Sequence, residues 1–134
     1  MKMLRPLLVP LLGLLVATSS GCIALVAGAS VGFLVSQQVL PNDVHTAQVR
    51  LDVDKVWTSV NETLSFFSDP GTELEVQDYP RVIHAAVGNS KVTVEVEAQD
   101  MQLTVIRVYA ERYFTNDNET AETVMSKILA RLDD

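Results

Sequence analysis

Cysteine is almost missing from this chain: among 134 residues there is one, Cys22. A single thiol excludes an internal disulfide, and with only two histidines, His45 and His84, it leaves too few ligands for a transition-metal site. Glycine is scarce beyond residue 32. Gly71 and Gly88 belong to neither GxGxxG nor GxxxxGK[ST], so no phosphate-cradling loop is expected. No GxSxG serine or nucleophile–base pair occurs, so neither an enzyme nor a bound cofactor is expected. Positive charge is also short: ten Lys and Arg face seventeen Asp and Glu, and two of the ten, Lys2 and Arg5, precede Cys22. Such acidity argues against nucleic acid and against electrostatic docking on anionic lipid.

What the N-terminus has instead is apolar length, with no charged residue from Pro6 to Pro41. Lys2 and Arg5 precede the stretch Leu7 to Val16, and the small residues Ala17 to Gly21 follow it. That is the order of a secretory signal. Ser20-Gly21-Cys22 resembles the lipobox of bacterial lipoproteins, with Ser19 where leucine is usual. The resemblance implies cleavage between Gly21 and Cys22 and lipid attachment at Cys22. Several acyl chains together give a stable anchor. Ile23 after the cysteine, rather than Asp, implies the outer membrane, facing the periplasm.

A second apolar run, Ile23 to Leu40, is about 18 residues and would rise about 27 Å as a helix. That is the short end for a bilayer span. Two readings stay open: a helical spacer in or along the membrane, and a spanning helix, which makes a single-span membrane protein of the chain where Cys22 is not processed. Ala24, Gly28 and Gly32 recur every four residues, a spacing that lets two helices approach closely. Pro41-Asn42-Asp43 ends the run and is expected to open the exported domain, so that the chain divides into 1–21, 22–41 and 42–134.

Within 42–134 the periodicity changes. Ala47, Val49 and Leu51 alternate with polar residues, as in a strand. Asp52 can cap a helix whose apolar face is Val53, Val56, Trp57, Val60, Leu64 and Phe67, ended by Asp69-Pro70-Gly71. Segments 73–78, 81–88, 91–98 and 101–110 then read as an antiparallel meander with turns at Tyr79-Pro80, Gly88-Asn89-Ser90 and Gln99-Asp100. The phase of the last strand is ambiguous around Arg107, where a bulge is expected. A final helix, capped within 116–118, carries Ala121, Val124, Met125, Ile128, Leu129 and Leu132. The expected fold is α+β: an antiparallel sheet of four to five strands with two helices on one face, in the order β-α-β-β-β(-β)-α, preceded by an apolar helical region.

Taken with Gly21-Cys22 and the Ala/Gly/Val run Ile23 to Phe33, the segments "LDVDKVWTSV" (51–60) and "ILARL" (128–132) resemble a domain-of-unknown-function family of small bacterial envelope lipoproteins. The resemblance implies architecture and location and brings no activity. The expected role is non-catalytic binding of an envelope protein partner by the open sheet face or an edge strand. Glu73, Glu75, Glu95 and Glu97 are the candidate binding face, since residues two apart on a strand share a side. The alternative is a small-ligand pocket between the sheet and the helix Val53 to Phe67, near Tyr109 and Tyr113. His84 is expected on a sheet face, His45 exposed at the domain's start, and Trp57 in the core.

Overall fold

Valines at 92, 94 and 96 alternate with Thr93, Glu95 and Glu97, and this period of two gives the sheet one face packed on the helices and one open face, on which Glu97 is exposed and Thr93 buried. The structure, a computed structural model, describes residues 32–134. Its strands are β1 (Leu34–Leu40), β2 (Val44–Val49), β3 (Glu75–Asp78), β4 (Arg81–Val87), β5 (Ser90–Asp100), β6 (Leu103–Arg112) and β7 (Thr115–Asn116). The helices are α1 (Val53–Phe67) and α2 (Asn118–Leu132), with a short 3₁₀ turn at Pro41–Asp43. All pairings are antiparallel, in the order β1-β2-β6-β5-β4-β3, with β7 beside the end of β6. The α+β class and both helices are as expected, and the sheet is larger.

Both helices cover the side that carries Ala47, Ile83, Val92, Val94, Ile106 and Val108, each buried. From α1 come Val56, Val60 and Leu64, and from α2 come Val124, Met125 and Ile128. Each such side chain contributes about 1.5–3 kcal/mol by leaving water. Trp57 packs at the margin, half-buried, with the Arg81 guanidinium 5.9 Å from its ring. The Asp52 carboxylate caps α1 through the Asp54 amide at 3.2 Å.

Several expectations are corrected. Leu34–Leu40 is strand β1, paired with β2, and not part of an apolar helix from Ile23 to Leu40. Pro41-Asn42-Asp43 is a turn inside the fold, with Asn42 and Asp43 at φ of 69° and 57°, a conformation Asn and Asp tolerate. Strand β3 begins at Glu75, leaving Glu73 in the loop before it. The β5–β6 turn lies at Met101-Gln102 because β5 runs to Asp100. The register breaks between Ala98 and Asp100, whereas Arg107 sits in unbroken pairing with Glu95 and Thr46. Among the described residues no helix is long and apolar enough to cross a membrane. Gly21, Cys22 and the signal-like segment lie outside the described residues.

Candidate functional site

The side of the sheet away from the helices presents rows set by register. Glu75 lies opposite His84, His84 opposite Thr93, and Thr93 opposite Tyr109. The next row is Gln77, Val82, Glu95, Arg107 and Thr46. The four candidate glutamates therefore border one side of the sheet but divide between two places. Glu95 and Glu97 border a hollow of about 530 Å³ with Arg81 and Arg107, at the start of β4, beyond which β5 runs on with β6 as its neighbour on one side only. Glu73 and Glu75 border a second, of about 480 Å³, with His84 and Lys91.

In the first hollow Arg107 Nη1 donates to Glu97 Oε2 at 2.9 Å. Arg81 reaches from the sheet to α1, its Nη2 2.6 Å from Asp54 Oδ1, while its Nη1 is buried with no hydrogen-bond partner among the described residues. In the second hollow His84 shares a hydrogen bond of 2.9 Å with the Thr93 hydroxyl, on the sheet face as expected. Asp69 serves structure: its carboxylate accepts from the amides of Gly88 at 2.7 Å and Asn89 at 2.9 Å, holding the β4–β5 turn against the end of α1. Among the described residues no group of three or more His, Cys, Asp and Glu could hold a metal ion.

The space between sheet and α1 is filled by Val56, Val60 and Leu64, so the pocket expected along that interface is reached only in part: the first hollow touches α1 at Val53, and a hollow of about 330 Å³ at Tyr113, bordered by Asn89, Lys91, Arg112 and Phe114, includes no α1 residue. Tyr109 is on the open face and Tyr113 is in a turn. His45, expected to be exposed, is buried at 4% exposure, with its Nε2 donating to Asn118 Oδ1. A small polar cluster continues from there. The Asp117 carboxylate caps α2, accepting from the Thr120 amide at 3.1 Å and the Thr120 hydroxyl at 2.6 Å, and it also accepts from the Ser90 hydroxyl. The Ser90 bond foremost, and then those from Thr120, hold the Asp117 carboxyl below its ordinary value.

Sequence reasoning passed over the feature with the least structural reason to exist. Arg112 pairs with Thr115, so Tyr113 and Phe114 form a two-residue hairpin loop, both with positive φ, 53° and 65°. That loop geometry favours Asn-Gly because bulky residues are strained at positive φ. Yet Tyr113 is 82% exposed and Phe114 fully so. The Arg112 guanidinium lies 5.4 Å from the Tyr113 ring, and both aromatics border an open hollow with Asn89 and Lys91. The loop ends β6, whereas the chain enters at Leu34, level with Val49 and Thr104 at the start of β6, so tip and entry lie at opposite ends of the sheet. The legible signal was two aromatics placed between the β-rich run ending at Arg112 and the capping Asp117. In comparisons with known proteins the chain matches no family model, no curated protein and no solved structure.

Proposed function

We propose that this chain is a lipid-anchored bacterial envelope protein, tethered through Cys22 and facing the periplasm, whose α+β domain works by binding a partner protein rather than by catalysis. The Tyr113-Phe114 tip is the observation that carries the binding role. Two large apolar rings are held in water, in a backbone conformation that small residues adopt more easily. Aromatic residues with an adjoining Arg are the side chains that most often dominate protein contacts. The anchor supplies local concentration, so a small contact suffices. Outer-membrane placement follows from Ile23, and kinship with small envelope lipoproteins from the residues at 21–33, 51–60 and 128–132.

The test is cross-linking in cells of a tagged chain, compared with a Tyr113→Asn/Phe114→Gly variant and with Cys22→Ser. The expected result is a discrete adduct, lost in the tip variant and weakened in Cys22→Ser. Equal capture by the intact and altered tips contradicts the proposal.

A second reading, a small ligand, is favoured by the 530 Å³ hollow, whose lining combines Arg81 and Arg107 with Tyr79 and Val82. Native mass spectrometry of the chain released from detergent checks it, and a ligand-free mass in every preparation counts against it.

A further inference from the structure

The two edges of the sheet are unlike. β3 is four residues long, wholly exposed, and carries Glu75 and Asp78. Short length and charge are the ordinary protections of an edge against pairing with another strand. β1 has neither protection. It is seven residues long, LVSQQVL, without charge, with Val35 44% and Val39 48% exposed, and among the described residues its outer side pairs with nothing.

Its sequence is also close to a palindrome about Gln37: Leu34 mirrors Leu40, Val35 mirrors Val39, and Ser36 mirrors Gln38. An isologous two-fold contact needs such self-complementarity, because each residue meets its mirror position on the other copy. Gln37 itself supplies the second observation. It is 9% exposed, on the same side of the sheet as Ala47, and its Oε1 is buried with no hydrogen-bond partner among the described residues.

We infer that a second copy of this chain pairs with β1, antiparallel and two-fold about Gln37, joining two sheets into one. Ser36 then faces Gln38 of the other copy, Val35 faces Val39, and each Gln37 amide donates to the Oε1 of its counterpart. Cross-strand neighbours on one face sit about 4.5–5.5 Å apart at Cβ, within reach for paired amides. The register break at Val35 leaves Ser36 to Leu40 straight, and that straight part contains the three central pairs. The inference does not rest on the lipid anchor or on the aromatic tip, and it is compatible with both. The two-fold axis stands normal to the sheet, so the chains enter at opposite ends of the joined strands. The 12 residues from Cys22 to Phe33 span about 40 Å extended, more than the length of β1, so both chains reach one bilayer.

The test uses the full chain in mild detergent with Cys22→Ser, so that any thiol is an introduced one. Two single-cysteine chains are made at exposed positions, Ser36→Cys and Gln38→Cys, and oxidised gently, separately and after mixing. In the inferred register the thiol introduced at position 36 of one chain lies directly opposite the thiol introduced at position 38 of the other, within disulfide range. Like positions are offset by two residues and about 7–8 Å apart. The expected result is disulfide-linked dimer in the mixture at several times the yield of either chain alone. Equal yields in all three samples, or no dimer in any of them, overturn the inference. Sedimentation of the Cys22→Ser chain with no introduced thiol supplies the measurement that no folding defect can obscure: a dimer at micromolar concentration is expected, and a monomer overturns it.

Discussion

Replacing Tyr113 by Asn and Phe114 by Gly should make this protein more stable. A non-glycine residue in the left-handed region costs roughly 1–2 kcal/mol, and both turn residues sit there, at φ of 53° and 65°. Glycine removes that cost at position 114, less about 0.5–1 kcal/mol for the greater freedom of the unfolded chain. Asparagine, which tolerates the conformation, recovers part of it at position 113. Against this stands the stacking of Arg112 on the Tyr113 ring, exposed and so worth about 0.5 kcal/mol. No burial is forfeited, because both rings are exposed. The net expectation is a gain of about 1 kcal/mol, or roughly 4–8 °C in Tm for a domain of this size. Thermal unfolding followed by circular dichroism on the full chain in mild detergent measures it. A loss of 1 kcal/mol or more would mean that the aromatics pack against the protein itself, which removes the reason for assigning them to a partner. A gain accompanied by loss of the cross-linked adduct is the stability-for-function exchange expected of a contact residue.

Four further outcomes follow from the same geometry. Asp117→Ala should cost about 2 kcal/mol in urea unfolding, the α2 cap and the buried Ser90 hydroxyl's acceptor each contributing about 1; a cost under 0.5 kcal/mol contradicts the cluster. Because the folded-state pKa of Asp117 is lowered, its contribution is present above the unfolded value, near pH 4, and is lost as pH falls through the folded one, so Asp117→Asn should flatten the acid limb of stability against pH. Ile128→Ala, at a position with no exposure, should cost about 2–5 kcal/mol, whereas Glu97→Gln, which breaks the exposed pair with Arg107, should cost less than about 1 and nothing in high salt.

Most of the domain was legible because its helices and β5 obey single periodicities. Asp52 and Asp117 are chemically marked caps, and Val92, Val94 and Val96 alternate without exception. β1 was hidden by its surroundings: Leu34 to Leu40 continues an uncharged run, and a strand edge without the usual protecting charge reads like more of the same apolar segment. The three consecutive polar residues Ser36, Gln37 and Gln38 were the sign that this stretch does not continue an apolar helix. Glu75, Glu95 and Glu97 alternate onto the open side and Glu73 lies in the loop before β3, and only register separates Glu75 from Glu95 and Glu97. The burial of His45 depends on Asn118, 73 residues away, and could not be read locally. The aromatic tip was missed for a different reason: Tyr113 and Phe114 do not look like a turn, since their presence there runs against turn propensity.

The anchor is the claim on which location and local concentration depend, and it is tested by feeding cells a clickable fatty acid and weighing the mature chain. Label on the intact protein, none on Cys22→Ser, and a mature N-terminus beginning at an acylated Cys22 is the predicted result. Unlabelled protein that retains the residues before Cys22 contradicts it, and with it the placement in the outer membrane drawn from Ile23.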